Sequence, residues 1–347
     1  MGAGMYWIRR SLAVVVAVAL LAAGCGRGTD DTGVTTIGLL SAALADTAEA
    51  SSYRESLSVG MKWKIAGAEL STGIDEDNPA FVCAVTPERD YCRFDMSTFI
   101  ESLLGFMLDE WDDLGFEVWL DEERLVVDTR SLQPLIDVDP DVDLELLVPG
   151  VFFVDLTALE AGSTELMDAF AGSSTPDLIE MAERLPAALT AIEQTSTNPP
   201  TFVGTTTSAR LIEALGGDVE ADALCEAAQL GTASLADLDE LAERIAQFYE
   251  TNTAEVVIEL DEQGLLSVLW TKEDYSGLLA IIAEYASLDT ELSEQERQEA
   301  IEEFESAEIT LATRVAYEPD ADLEVPLPPP TDEDRTQEWR EFLPECG

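Results

Sequence analysis

The sequence predicts an α+β fold, with a single curved antiparallel β-sheet, helices packed on its concave face and an extra helical insertion. Segments that alternate between apolar and polar residues follow one another along the chain, which is typical of antiparallel sheets with one buried face. Between them lie segments with helix start signals and an apolar stripe on one side. No internal repeat divides the 347 residues, so these elements are predicted to form one domain.

Most of the strands are predicted in the N-terminal half. An Ala-rich helix at residues 37–52 precedes a strand at 53–66, where Met61, Trp63 and Ile65 alternate with two lysines. A capping box at Thr98 begins a helix with apolar residues at helical spacing. The other strands predicted in this half lie at residues 81–85, 91–94, 116–120, 124–129 and 151–156.

The middle of the chain, about residues 158–249, is predicted to be mostly helical and forms the insertion. Helices begin near Pro176 and Ser234, and one strand is expected between them at residues 202–208. The final part of the domain contains a hairpin at 255–260 and 265–271, a helix that begins at Ser293, and a strand at 309–317. The Pro-rich residues 327–330 end the predicted domain, which leaves residues 331–347 as a C-terminal tail.

The first residues predict an exported lipoprotein. Two arginines precede an apolar run at residues 12–23, which is too short to span the roughly 30 Å of a bilayer's hydrocarbon. Residues 1–24 are therefore expected to be a cleaved signal peptide. The sequence Leu-Ala-Ala-Gly-Cys at its end resembles a lipobox, and an ordinary signal with a chance cysteine is the alternative.

In a lipoprotein, Cys25 would receive a diacylglycerol group and a further chain such as palmitate. These acyl chains would anchor the protein to the outer face of the cytoplasmic membrane, in the cell envelope. The Gly-, Thr- and Asp-rich residues 25–36 would then form a flexible tether.

Composition excludes several classes of function. The 71 acidic and 18 basic residues give a net charge of −53, which opposes binding to nucleic acid and to anionic membrane surfaces. The chain has no histidine, so neither a Ser-His-Asp nor a Cys-His catalytic arrangement can be built. No P-loop or dinucleotide-binding glycine pattern is present. We therefore predict no enzyme and no cofactor, with an envelope hydrolase based on paired carboxylates as an alternative.

Two patterns raise the question of a metal site. The acidic residues at 137–145 alternate like the start of a calcium loop, but Pro140 and the missing glycine argue against an EF-hand. We interpret this segment as a solvated loop. Zinc is the rival interpretation of the cysteines, but the chain lacks histidine and a paired C-x-x-C motif, so no metal site is predicted.

Besides Cys25, the chain has four cysteines, an even number that is typical of disulfides in exported proteins. Three pairings are possible. The predicted hairpin places Cys83 opposite Cys92, and Cys225 would then pair with Cys346.

Several segments together resemble a known family. They are the lipobox, the strand at residues 61–64, the segment 151–156, the hairpin at 256–270, and the closing residues 314–317 with 325–326. In order and spacing, over roughly residues 45–330, they look like mycobacterial LppX/LprG-type lipoproteins. The resemblance implies a LolA-like half-barrel over residues 37–330, although the helical middle is longer than such a fold needs.

A half-barrel of this kind can enclose acyl chains between its sheet and its helices. The resemblance therefore implies a lipoprotein that binds or carries an acylated lipid or lipoglycan. The candidate cavity residues are Trp63, Phe99, Leu103, Phe106, Met107 and Trp111. The same stripe is also typical of a packed core, in which case the protein would be a non-catalytic interaction or assembly module. The sequence leaves the protein partners and the oligomeric state open.

Overall fold

A twelve-stranded antiparallel sheet organises the part of the chain that the computed structural model describes. That part comprises residues 36–48, 50, 52–65, 68–87, 89–98, 114–121, 123–134, 149–158, 178–220, 223, 227, 235–286, 307–319 and 323–337. The strands are β1 (Tyr53–Ile65), β2 (Ala68–Ser71), β3 (Phe81–Val85), β4 (Asp90–Asp95), β5 (Gly115–Leu120), β6 (Arg124–Asp128), β7 (Val151–Asp155), β8 (Thr190–Thr197), β9 (Pro200–Thr207), β10 (Thr253–Leu260), β11 (Leu266–Asp274) and β12 (Glu308–Pro319). The helices are α1 (Thr36–Ala48), α2 (Leu178–Ala188), α3 (Ser208–Leu215), α4 (Leu235–Thr251) and α5 (Ser276–Ala286).

The first strand lies in the interior of the sheet. β1 pairs with β12 on one side, from Tyr53 opposite Pro319 to Lys64 opposite Glu308, and with β3 on the other. The order across the sheet is β7-β6-β5-β4-β3-β1-β12-β11-β10-β9-β8, with β2 paired to β1 off this path. The sheet is open, and each half is a meander that flanks β1. The prediction of an α+β fold with one antiparallel sheet is confirmed.

One face of the sheet carries helices. Leu40 and Leu44 of α1 share a buried cluster with sheet residues of β9, β10 and β11, and so do Met181 and Leu185 of α2. The sheet residues in this cluster include Phe202, Ile258 and Leu269. We call this side the inner face. Register partners share a face, so Val315 and Leu57, which follow Leu269 across the sheet, also lie on the inner face.

The other half of the sheet has its own buried cluster on the inner face. It includes Cys83, Cys92, Val118, Val127 and Phe152, one residue from each of the strands β3 to β7. Cys83 and Cys92 are opposite each other, and a disulfide joins them with their Cα atoms 4.1 Å apart. The hairpin prediction of this pair is therefore confirmed. Cys225 and Cys346 lie outside the described residues.

The middle of the chain differs from its prediction. Residues 158–249 contain the helices α2, α3 and α4, but also the hairpin of β8 and β9, which extends the sheet. The expected strand at 202–208 corresponds to β9. β8 was missed because most of its side chains are polar and exposed on both faces, so it has no apolar alternation. This segment is therefore not a purely helical insertion.

The chain also continues past the predicted end of the domain at residue 330. Residues 331–336 run along the outer edge of β7, and we call them the C-terminal strap. The Phe153 amide donates to the Glu333 carbonyl at 2.9 Å, and the Arg335 amide donates to the Phe153 carbonyl at 3.0 Å. Before the strap, the Pro326 carbonyl accepts a hydrogen bond from Trp119 Nε1 at 2.9 Å. These contacts make residues 331–336 part of the fold rather than a free tail.

Candidate functional site

An apolar row crosses five adjacent strands on the inner face. Each member is the register partner of the next, from β12 through β1, β3 and β4 to β5. All five are only partly buried. We call this set the open row, and its members are Val315, Leu57, Phe81, Phe94 and Phe116. At roughly 4.8 Å between strands, the row is about 19 Å long, slightly more than the ~15 Å of one hydrocarbon leaflet.

The same register continues under the helices, where the environment changes. Leu269, Ile258 and Phe202 extend the row over β11, β10 and β9. They are 3%, 0% and 1% exposed, because they belong to the cluster that packs against α1 and α2. The inner face is thus sealed under the helices and partly open along the five strands beside them.

A cavity of about 530 Å³ borders Phe94 and Phe116, but most of its lining faces away from the open row. Arg93, Glu117 and Asp128 are register partners on the opposite face of the sheet, because each directly follows or precedes an inner-face residue of its strand. The rings of Phe94 and Phe116 are in contact, with centroids 5.1 Å apart. Leu114, Gly115 and Ser131 complete the wall, and the charged residues around it are Arg93, Asp95, Glu117, Asp128 and Arg130. The cavity is therefore mainly a charged pocket on the opposite face and is not a continuation of the open row.

The cations at the rim are already paired. Arg93 Nη2 lies 3.3 Å from Asp95 Oδ2, and the Arg130 guanidinium donates hydrogen bonds to the Asp128 carboxylate. Burial acts to raise the pKa of Asp128, but the hydrogen bonds and the charge of Arg130 lower it by more, so its pKa lies below the ordinary value. The rim is therefore a set of neutralised ion pairs rather than a free basic patch.

Trp63 lies near the end of β1 and belongs to an apolar cluster that includes Leu57 and Phe94. This cluster connects the predicted residue Trp63 to the open row. Its indole Nε1 is buried and has no hydrogen-bond partner among the described residues. The other predicted cavity residues, which are Phe99, Leu103, Phe106, Met107 and Trp111, lie outside the described residues, as do Cys25 and the acidic residues 137–145.

Glu55 lies in the row next to the open row. Its register partners are Tyr317 on β12 and Cys83 on β3, and the side chain is 3% exposed. Glu55 Oε2 and the Tyr317 hydroxyl are both buried without a hydrogen-bond partner in the described part of the chain. Burial raises the pKa of Glu55 well above its ordinary value, so the neutral acid is favoured. Burial also raises the pKa of Tyr317, with a further contribution from the nearby Glu55.

Glu273 is a second buried carboxyl group on this face, but it has hydrogen-bond partners within the protein. Ser208 Oγ donates to it at 2.5 Å, and Asn252 Nδ2 donates to Ser208 Oγ at 2.9 Å. Burial raises the pKa of Glu273, and the hydrogen bonds from Ser208 and Tyr275 oppose that effect in part. This network joins β11 to the start of α3 and the end of α4, which is a structural role.

Sequence reasoning missed Glu55, Tyr317 and the three phenylalanines of the open row as site residues. For Glu55 a signal was present, because the alternation that places Met61 and Trp63 on one face of β1 also places Glu55 there. For Phe81, Phe94 and Phe116 the signal was missing. Their meeting in one row depends on the register of separate strands, which periodicity does not specify.

The sequence matches no protein-family model and no curated protein.

None of the described helices is long and apolar enough to cross a membrane.

Proposed function

We propose that this protein is an exported lipoprotein of the cell envelope that binds or carries an acylated lipid between its sheet and its helices. Acyl chains on Cys25 would hold it at the membrane, where the negative charge of the body repels anionic headgroups. The sheet would correspond to a LolA-like half-barrel with its helices on the concave side. The open row is the observation that supports lipid binding.

The open row has the right physical properties for acyl chains. It presents five apolar side chains from five strands without interruption, and no charged group belongs to it. About ten buried methylenes would gain roughly 8 kcal/mol at about 0.8 kcal/mol each. Association costs about 4 to 15 kcal/mol in lost translational and rotational freedom, and the gain from burial exceeds the lower end of that range. No polar motif is required for such binding, which accounts for the absence of a sequence signature.

Lipid-binding measurements on the unmodified protein, and on a variant with a bulky side chain in the open row, test the proposal. We expect lipid in organic extracts of the purified protein by mass spectrometry, and saturable binding of a fluorescent long-chain fatty acyl probe by fluorescence titration. Leu57→Trp fills the middle of the row and should weaken probe binding at least tenfold, because the added ring takes the space of the chain. Ser56→Trp is the matched control, since Ser56 is the next residue of β1 and faces the other side of the sheet.

Two results would contradict the proposal. If the unmodified protein holds no lipid and takes up no probe, the closed interaction or assembly module of the same fold is the better interpretation. If Leu57→Trp and Ser56→Trp weaken binding equally, the ligand does not lie along the open row.

A further inference from the structure

Two buried polar groups face each other beside the open row. Glu55 and Tyr317 are direct register partners on β1 and β12, which places their Cβ atoms about 4.5 to 5.5 Å apart. Each is 3% exposed, and each has an oxygen without a hydrogen-bond partner among the described residues. Leu57 and Val315, two positions along the same strands and on the same face, are members of the open row. A ligand in the row would therefore lie next to both oxygens.

An unpartnered buried polar group needs an explanation, because it destabilises the fold. The large majority of buried side-chain polar atoms in proteins have a hydrogen-bond partner, whereas Glu55 Oε2 and the Tyr317 hydroxyl, on register-partner residues, have none in the described part of the chain. Glu273 shows that the same sheet can satisfy a buried carboxyl group with Ser208. The rest of Glu55's row, on β3 to β7, consists of cystine and apolar residues. The fold itself thus provides no reason for a polar pair at this point.

We propose that Glu55 and Tyr317 form a polar subsite that donates hydrogen bonds to an uncharged ester carbonyl of the bound lipid. This inference rests on the proposed lipid binding and specifies which lipids the site selects, namely esters whose acyl chains lie in the open row.

The surroundings favour an uncharged acceptor over an ion. The residues that border Glu55 on its own and neighbouring strands are Tyr53, Leu57, Cys83 and Tyr317, and none of them is a cation that would hold a phosphate or a carboxylate. Burial raises the pKa of Glu55 and so favours its neutral form, which offers an O–H donor and does not attract an ammonium group. The phenol of Tyr317 is a second donor. Two converging O–H donors match the two lone pairs of a carbonyl oxygen.

Matched lipid probes test this subsite on the full chain. The probes are a fluorescent diacylglycerol and the corresponding dialkyl glycerol ether, which has the same chains without the ester carbonyls, both delivered from cyclodextrin. We expect the ester to bind the unmodified protein about fivefold to tenfold more tightly than the ether, since one neutral hydrogen bond is worth about fivefold. Tyr317→Phe and Glu55→Leu should each remove most of this preference, because each weakens ester binding by a larger factor than ether binding. Glu55→Gln, which keeps a donor, should retain it.

The possible failures are distinguishable. If the unmodified protein binds neither probe, the proposed lipid binding fails and the subsite with it. Equal binding of ester and ether overturns the subsite alone, since the pair would then hold only water. A loss of ester and ether binding by the same factor in Tyr317→Phe would also overturn it, because that result indicates a packing role.

Discussion

At Glu55, the stability of the fold and the proposed lipid binding favour different side chains. The neighbours of Glu55 across the sheet are Tyr317 and a disulfide-bonded cysteine, and no described group neutralises it. Replacing water around a carboxyl group with apolar surroundings disfavours the charged form. Neutral Glu55 is compatible with the buried row, and it is also the form that can donate a hydrogen bond. Burial makes Glu55 destabilising for the fold, and the same burial favours the neutral form that the proposed ester subsite requires.

The raised pKa of Glu55 predicts a specific pH dependence of stability. Below about pH 4.5 the group is protonated in both the folded and unfolded states, and above it only the unfolded state ionises readily. The free energy of unfolding should therefore fall as pH rises from about 4.5 towards the raised folded pKa. Between these two pKa values, the free energy of unfolding should fall by about 1.4 kcal/mol per pH unit.

Glu55→Gln should lack this contribution. We expect urea denaturation between pH 4.5 and 7 to show the unmodified protein losing stability relative to the variant. Glu273, whose pKa burial also raises, is present in both proteins, so its effect cancels in the comparison. Parallel stability curves across this pH range would mean that Glu55 ionises normally in the folded protein.

Gly115 shows how one residue shapes the cavity. A Cβ atom at this position would lie 2.4 Å from the Phe94 carbonyl oxygen, so only glycine allows β5 to approach β4 so closely. That approach is consistent with the ring contact between Phe94 and Phe116 at the end of the open row. The sequence shows a glycine before an apolar strand, but the reason for it appears only when both strands are in place.

Among the elements, β7 is an edge strand that the chain itself covers. The strap supplies backbone partners to Phe153, and Thr336 Oγ1 accepts from the Asp155 amide at 2.8 Å. Thr331 donates its hydroxyl to the Val151 carbonyl at 2.6 Å. Uncovered sheet edges promote association with other strands. The strap is therefore expected to keep this edge from pairing with another molecule.

Truncation tests the role of the strap. A chain that ends at residue 330 should unfold at lower urea concentration and form larger species in light scattering, because the edge of β7 loses its partners. A chain that ends at residue 337 keeps every described strap contact and also lacks Cys346, so it is the matched control. Identical behaviour of the two truncated chains would show that the strap does not protect the edge.

For the whole molecule, the pairing of β1 with β12 is the central feature. It joins the first strand to the last and brings Glu55 to Tyr317 and Leu57 to Val315. The two meanders then differ in how the described helices pack against them. The described helices α1 and α2 pack on the β9–β11 side, and the open row leads away from them across β12, β1, β3, β4 and β5. This asymmetry leaves part of the inner face without cover from α1 and α2.

Membrane anchoring is proposed for the whole protein, and it depends on the thiol of Cys25. In an expressing cell, the unmodified chain should incorporate labelled palmitate and sediment with membranes. Cys25→Ser should incorporate none and should be either released or left uncleaved, because the thiol that accepts the acyl group is gone. Cys346→Ser is a matched cysteine substitution that should leave labelling intact. A processed, membrane-bound Cys25→Ser protein would contradict the lipoprotein prediction.

The sequence by itself determined several local elements of this protein, although it did not reveal β8. Alternation specified β1 and β12, and the spacing of the turn placed Cys83 opposite Cys92, because these signals depend on residues close together in the chain. Only the tertiary structure decided that β1 lies between β3 and β12, that the strap covers β7, and that five separate apolar residues form one row. Such contacts depend on register and on pairing between distant strands, and periodicity along the chain carries no information about either.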